Sequence, residues 1–386
     1  MKKQIVFAGI FLAGFCHPKV AETENAVLEP VVIHDTARHS FQEELVIGGL
    51  GVPWGLAFLP DGRLLVTEKE GRLGIVSLSD NVVFPVSGLP PIHDQGQGGL
   101  MDVTLHPDYE ENGWIYLSYS EPKKDAHGNV TSYTVIARAR MSGIALEGFE
   151  VVYQAEEKFY GHQHHHFGSR VVFDNEGYLY FSIGDRGQRK LAQSIQLPNG
   201  KIHRLHDDGQ VPSDNPFVDH EDAIKSIWSF GHRNPQGLAV HPQTGQIWAT
   251  EHGPRGGDEL NQIKKGTNYG WPAITYGINY NGTLITDLTH KEGLEQPVLY
   301  WNPSIAVCGI DFYNGARFGH WKNNLLVTAL AFKQLLRVGF EGERVIHQEI
   351  IYEPGSRIRD VETGPDGLIY VALEDPGRVV RLTPEE

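Results

Sequence analysis

Sulfur is scarce in this sequence, with two cysteines and three methionines in 386 residues. Cys16 falls in an apolar N-terminal segment, which leaves Cys308 alone. No intramolecular disulfide is expected, so stability must come from a large core. A nucleophilic Cys308 is the sharper reading; a small buried apolar side chain is the ordinary one. Positive charge is also short: Lys and Arg number 33 against 48 Asp and Glu, a net charge of −15. Nucleic-acid binders present a basic face and anionic membranes repel acidic surfaces, so both partner classes are disfavoured. No apolar run reaches the roughly 20 residues that a bilayer span requires. The run IVFAGIFLAGFC at 5–16 follows Lys2 and Lys3 and has the make-up of a secretory signal. We expect residues 1–20 to be a signal peptide and 21–386 to form a single domain, periplasmic or secreted. Lipidation at Cys16 is the lesser alternative, because Phe15 stands where a lipoprotein signal wants a small residue. Long stretches of 3.6-residue periodicity and strand–helix alternation are missing too, which counts against a two-domain α/β chain.

Glycine is plentiful: 44 glycines and 22 prolines favour tight turns over long helices. One pattern recurs, an apolar strand, a turn rich in Pro, Asp, Asn and Gly, then a second apolar strand. It reads GLAFLPDGRLLVTE from Gly55, DVTLHPDYEENGWIYLSYS from Asp102 and RVVFDNEGYLYFSIGD from Arg170. It returns as GLAVHPQTGQIWATEHG from Gly237, GIDFYNGARFGHWKNNLLVTAL from Gly309 and DVETGPDGLIYVALED from Asp360. The starts are 47, 68, 67, 72 and 51 residues apart. A hairpin cannot bury both faces alone, and units of this size with four strands each form propeller blades. The expected fold is all-β, a six-bladed propeller of four-stranded antiparallel blades, with the excess spacing in loops on one face. Residues 22–50 would supply the outer strand that closes the ring with the last blade.

Propellers place function at the mouth of the central channel, on loops between blades. Four polar clusters qualify. GHQHHHFG at 161–168 is rich in histidine, but adjacent strand residues point to opposite faces and cannot share one ion. A single histidine acting as general base is the sharper idea there. GHRNPQG at 231–237 reads as a pre-organised site or as a solvated turn. EHGPRGGDE at 251–259 combines free carbonyls with carboxylates, a ligand set suited to Ca²⁺ without EF-hand spacing. In Arg357-Ile358-Arg359-Asp360 the two arginines share one side of a strand and repel unless an anion sits between them. That points to a polycarboxylate or phosphate ligand; the bland alternative is a solvated strand edge.

HHFGSR at 165–170, GHRNPQG, EHGPRGGDE, NYGWP and RIRDV, in this order, resemble the soluble aldose (glucose/sorbosone-type) dehydrogenases. These are six-bladed propellers that use pyrroloquinoline quinone (PQQ) and calcium, and the likeness runs from Gly49 to the C-terminus. It implies that His166 is the catalytic base, that Gln97 lies beside the cofactor and that Arg233 and Asn234 contact the quinone. Carbonyls of Gly253 and Pro254 would hold the cofactor's calcium; Glu259 and the Tyr269 carbonyl would hold a second, structural one. Tyr280 matches a cofactor-contacting tyrosine, and Arg357 and Arg359 match arginines that meet the cofactor's carboxylates. Two positions depart from the pattern. A common family lysine is replaced by Ala331, with Lys333 close by, and His165 stands where Asp or Asn is usual. The implied reaction takes a proton from the anomeric hydroxyl of an aldose and a hydride from the same carbon, giving a lactone. The electrons would pass on to an acceptor that the sequence does not name. Nothing demands a dimer, so a monomer is expected. Two rivals remain: a calcium-dependent lactonase propeller, which needs carboxylate and Asn ligands converging in the channel, and a propeller that only binds a partner or glycan.

Overall fold

A computed structural model describes residues 32–35 and 40–385. The expected signal peptide and Cys16 lie outside the described residues. Six antiparallel sheets are arranged as blades. Blade 1 comprises Pro53–Phe58, Leu64–Glu68, Arg72–Ser77 and Val82–Pro85; blade 2 comprises Leu100–Leu105, Trp114–Lys124, Val130–Ser142 and Ala145–Tyr153. Blade 3 runs through Val171–Phe173, Leu179–Ile183, Lys201–Leu205 and Ile227–Phe230, and blade 4 through Pro235–Val240, Ile247–Glu251, Asp258–Ile263 and Leu299–Trp301. Blade 5 holds Val307–Phe312, Leu325–Ala329, Gln334–Glu341 and Arg344–Tyr352, and blade 6 Ile358–Thr363, Ile369–Leu373 and Gly377–Pro384. The six sequence repeats are therefore the inner and second strands of the six blades.

The ring closes as expected. Ser40–Leu50 pairs antiparallel with Gly377–Pro384, Phe41 opposite Pro384 and Leu50 opposite Gly377. A further strand, Val32–Asp35, lies outside it and gives blade 6 five strands.

Second strands such as Leu64–Glu68 and Leu179–Ile183 are buried along their whole length. Such a blade is apolar on both faces and is stable only between neighbours. Each of the six blade interfaces accordingly has its own apolar cluster. Leu65, Ile75, Leu117 and Val135 join blades 1 and 2, for example, and Phe41, Trp321, Ile358 and Val380 join blades 5 and 6. Each fully buried large aliphatic side chain contributes roughly 1.5–3 kcal/mol.

A repeated hydroxyl ties blade to blade. Ser118 Oγ donates to Ser169 O at 2.6 Å, Ser182 Oγ to Pro235 O at 2.9 Å and Thr250 Oγ1 to Cys308 O at 2.6 Å, while Thr67 Oγ1 donates to Met101 O. In each case a second strand bonds the inner strand of the next blade or, at Ser169, the residues just before it. Gly237 is required by this device, because a Cβ there would fall 2.2 Å from Thr250 Oγ1.

The excess spacing is not all loop on one face. In blade 2 it lies partly in strands of 11 and 13 residues. In blade 4 it is the connection 264–298, which leaves the end of the blade remote from the mouth. This segment climbs beside the outer strand of blade 3: Gly266 N donates to Trp228 O, Phe230 N to Thr267 O, Tyr269 N to Phe230 O and Trp271 N to Gly231 O. It reaches the mouth at Trp271.

Candidate active site at the channel mouth

A cavity of about 350 Å³ opens at the mouth, lined by Gln97, His165, His166, Asp185, Arg233, Pro254, Trp271 and Tyr280 among others. Its residues come from two kinds of loop at the same end of the ring: those entering an inner strand (Gln97, His166, Arg233) and those leaving a second strand (Asp185, Pro254). Segment 264–298 adds Trp271 and Tyr280.

His166 sits at the centre of this constellation. Its backbone is left-handed (φ 55°), an unfavourable conformation for a non-glycine residue and one that clusters at active sites. The amide of His166 donates to Gln97 Oε1 at 2.7 Å, and Gln97 N donates to His164 O at 2.7 Å, so Gln97 clamps the loop. Gly184 lies directly beneath, where a Cβ would come within 2.3 Å of His166 O. Nδ1 of His166 is 2.6 Å from Asp185 Oδ1. Asp185 is 1% exposed, and Gly187 N (2.7 Å, to Oδ1) and Trp271 Nε1 (2.8 Å, to Oδ2) also donate to it. Burial favours the neutral acid, but the His166 hydrogen bond and charge, Arg233 and Trp271 together hold the carboxyl below its ordinary range. Burial, Arg233 and His165 lower the His166 pKa against the pull of Asp185. The pair is therefore a neutral imidazole on a carboxylate at neutral pH, with Nδ1–H as donor and Nε2 free to accept a proton.

The side chains of the histidine tract diverge to different neighbours. His162 Nδ1 lies near Val130 O, the His164 ring tilts against His93, and the His165 and His166 rings stand edge to face. Arg186 holds the main chain of the tract: Nη1 donates to His165 O at 2.9 Å, Nη2 to Gln163 O and, at 3.4 Å, to Ser132 O.

The GHRNPQG cluster is the pre-organised one. His232, Arg233, Asn234 and Gln236 are all buried. Arg233 N donates to Glu251 Oε2 at 2.6 Å and its Nη1 to His252 O at 2.9 Å. Asn234 stands behind the cavity wall, with Oδ1 accepting from Gly168 N at 3.0 Å. Its Nδ2 and His252 Nε2 are buried with no partner among the described residues.

Arg357 and Arg359 do have an anion between them, an internal one. Glu374 Oε2 accepts from Arg357 Nε at 2.7 Å, and its Oε1 accepts from Arg359 Nε at 2.8 Å and Nη2 at 2.5 Å. Arg359 Nη1 also reaches Gln236 Oε1 at 3.1 Å and Cys308 Sγ at 3.5 Å. Cys308 is the buried small side chain of the ordinary reading. Arg357, Arg359 and Lys333 all lie outside the cavity lining, and Lys333 Nζ donates to Gly355 O at 2.7 Å. Tyr280 is 74% exposed over the cavity.

Among the residues expected to bind calcium, Gly253 is buried with its N donating to Asp258 Oδ1 at 2.9 Å, and Pro254 O accepts from Ser304 Oγ at 3.3 Å. Asn261 Nδ2 lies between Glu259 Oε2 (3.2 Å) and Glu251 Oε1 (3.0 Å). Burial and Glu251 push the Glu259 carboxyl well above its ordinary value. Tyr269 is buried and stacks on His232, with ring centroids 4.6 Å apart. Among the described residues, no group of three or more His, Cys, Asp or Glu side chains is arranged to hold a metal.

Sequence reasoning missed Asp185 and Glu374 among the acids that organise the mouth, and read Glu251 only as a carboxylate of a candidate Ca²⁺ cluster. The signal was in the repeats. At or just past the end of the second strand, blades 1, 3, 4 and 6 carry Glu68, Asp185, Glu251 and Glu374. Each reaches back to the loop entering its own blade: Glu68 to Gly51, Asp185 to His166, Glu251 to His232 and Arg233, Glu374 to Arg357.

A sequence model of the glucose/sorbosone dehydrogenases matches residues 50–381. The chain belongs to the glucose/sorbosone dehydrogenase family. That membership makes it an oxidoreductase. It is 41% identical to aldose sugar dehydrogenase YliI of Escherichia coli K12, over 88% of this chain and 92% of that protein. It is 26% identical to quinoprotein glucose dehydrogenase B of Acinetobacter calcoaceticus, over 91% and 89%. The apo structure of the soluble E. coli aldose sugar dehydrogenase superposes with TM-score 0.85 and 39% identity over 89% of this chain and all of that one. The PQQ-bound aldose sugar dehydrogenase of Streptomyces coelicolor gives 0.72 and 27% over 89% and 97%. The six-bladed fold and the family expected from the motifs are both found.

Proposed function

We propose that this protein oxidises aldose sugars at the anomeric carbon to lactones, with PQQ as hydride acceptor. The observation that carries this is the His166–Asp185 pair opening into a cavity that Arg233 and Arg189 also line. The donor set fits a polycarboxylate: Arg233 at the wall, Arg357 and Arg359 on the strand entry of blade 6 outside the lining, and the unpartnered buried Nδ2 of Asn234 and Nε2 of His252. Gln97, Arg233, Asn234, Tyr280, Arg357 and Arg359 would hold the group, with Lys333 able to join from Gly355 only by releasing that carbonyl. The carbonyls of Gly253 and Pro254 would hold its Ca²⁺, and Glu259 with the Tyr269 carbonyl a second ion; a half-buried carboxylate beside another glutamate is a chemically reasonable cation ligand. When bound, PQQ supplies a two-electron sink for hydride.

The chain's own residues handle the proton. A sugar whose C1 hydroxyl reaches Nε2 of His166 gives up its proton there as the hydride leaves C1. Asp185 keeps the proton already on Nδ1 in place, so Nε2 is the only basic atom, and its negative charge stabilises the imidazolium that forms. Relatives named for aldose sugars and for quinoprotein chemistry support this reading. The N-terminal segment supports export to the periplasm. Among the described residues no helix is long and apolar enough to cross a membrane.

Reconstitution with PQQ and Ca²⁺, followed by dye-linked assay over an aldose panel, tests the proposal. His166→Ala should retain PQQ and lose about 10²–10⁴-fold in kcat. Near-normal oxidation by that variant removes His166 from the role. Activity should fall as pH drops through the His166 pKa, below the ordinary imidazole value of about 6.5, because only the neutral ring accepts a proton.

A further inference from the structure

Trp271 sits outside every role assigned so far, yet it is the only residue of segment 264–298 bonded to the proton-handling pair among the hydrogen bonds of the described residues. Its indole is 7% exposed and lines the cavity. Its backbone is fixed at both ends: N donates to Gly231 O at 2.9 Å, and its O accepts from Gln193 Nε2 at 2.7 Å. Arg233 lies over the indole at 5.4 Å and Arg189 at 5.9 Å. The side chain is therefore held by blade 3 and by two guanidiniums before it touches Asp185.

Asp185 has one oxygen committed twice and one committed once. Oδ1 accepts from His166 Nδ1 and Gly187 N; Oδ2 accepts from Trp271 Nε1. A carboxylate turns about its Cβ–Cγ bond unless both oxygens are fixed, and the torsion of such an sp³–sp² bond is broad. Gly187 N alone fixes one oxygen from two residues away. The indole N–H fixes the other, across the gap between blades 3 and 4. Charged groups around the pair do not set this direction: Arg233, Arg186 and Lys201 act on Asp185 as charges, and Arg233, His165 and His252 act on His166.

We infer that Trp271 is a positioning residue: its indole N–H aims the Asp185 carboxylate at His166 Nδ1 and so keeps Nε2 as the single basic atom. The inference rests on the reading of His166 as base, but its test does not need turnover. In apo protein with ¹⁵N-labelled histidine, the His166 signals, assigned through His166→Ala, report tautomer and pKa directly. Wild type should show the Nδ1–H tautomer alone. Trp271→Phe keeps a ring in the same space and removes the donor. It should give a mixture of tautomers and a His166 pKa lower by about one unit, because a carboxylate that strays raises the imidazole pKa less. In the PQQ-loaded enzyme the same change should lower kcat about tenfold with KM within twofold. In an Asp185→Asn background Trp271→Phe should add nothing to either readout. An unchanged tautomer and pKa, a raised pKa, or an undiminished effect in the Asp185→Asn background each overturns the inference. Should Trp271→Phe not fold, replacing Trp271 with β-(3-benzothienyl)alanine, which keeps the shape of the indole and lacks its N–H, makes the same test with the same expected and overturning results. A wild-type enzyme inactive on every aldose would sink the proposed function and leave the tautomer result standing.

Discussion

At the mouth of the channel two arginines share one carboxylate, Arg357 and Arg359 on Glu374; one step deeper along the inner strands two carboxylates share one arginine, Asp102 and Asp360 on Arg170. Arg170 Nη1 lies 2.9 Å from Asp102 Oδ1 and 3.0 Å from Asp360 Oδ1. The remaining oxygens accept main-chain amides of neighbouring blades, Asp102 Oδ2 from Val171 N at 2.7 Å and Asp360 Oδ2 from Leu56 N at 3.0 Å. The deeper triad thus spends its charges on joining blades 1, 2, 3 and 6. The mouth triad spends its carboxylate on aligning two cations within one blade and keeps a positive excess. In a chain of net charge −15 that excess is local, and it is what an anionic ligand would find. The same trio of groups joins blades in one place and, in the function proposed above, serves recognition in the other; the sign of the odd member separates them.

The largest effect should come from removing the deeper cation. Arg170→Met strands two buried carboxylates and should cost about 3–5 kcal/mol in denaturant unfolding. The two triads meet at Gln236, whose O accepts from Arg170 Nε and whose Oε1 accepts from Arg359 Nη1, so PQQ binding by any fraction that folds should weaken by less than the loss of stability. At the mouth, Glu374→Gln should cost less, about 1–3 kcal/mol, because Arg357 is 41% exposed and water can replace its partner. It should also tighten PQQ binding several-fold in calorimetric titration, by leaving both cations to the ligand. Weaker binding would show that Glu374 serves to orient the arginines more than it neutralises them.

Much of this division was legible in the sequence, and the illegible part has one cause. The repeats made the six blades readable, since turn chemistry and strand alternation are local. Closure by Ser40–Leu50 was also readable, because the last repeat lacks a fourth strand. Arg357 and Arg359 were picked out as a pair wanting an anion, and the anion was found. But Glu374, which supplies it, lies 15 residues beyond Arg359, and only the antiparallel pairing of the first two strands of blade 6 brings them together. Asp185 and His166 meet for the same reason, 19 residues apart in blade 3. Trp271 was illegible in a stronger sense: it arrives along a segment that starts at the opposite end of blade 4 and follows no repeat.

A smaller effect, readable by titration, should distinguish the two triads by pH. Burial and the second carboxylate, Asp360, push Asp102 up to about 7, since one guanidinium compensates one negative charge and not two. A carboxyl whose folded pKa is raised stabilises most below its unfolded value of about 4, and that contribution is lost as pH rises towards 7. Wild-type stability should therefore fall over that window relative to Asp102→Asn, whose amide cannot ionise. Parallel stability curves for the two proteins would mean that Arg170 compensates both acids. PQQ affinity should follow neither curve.

The smallest effect tests whether the two triads are independent at all. Ser118 adjoins the deeper one: its Oγ donates to Ser169 O, next to Arg170, at 2.6 Å and accepts from Asp102 N at 2.9 Å. Ser169 also ends the loop that carries His166. Ser118→Ala leaves a buried amide and a buried carbonyl each short of one partner and should cost about 1–3 kcal/mol, at the lower end if blades 2 and 3 close by a fraction of an ångström. If the triads are independent, neither the PQQ dissociation constant nor the pH dependence that Asp102 imposes should change. A shift in either would mean that the hydroxyl strap carries strain from one triad to the other, and the separation of architecture from recognition would then hold for charge alone.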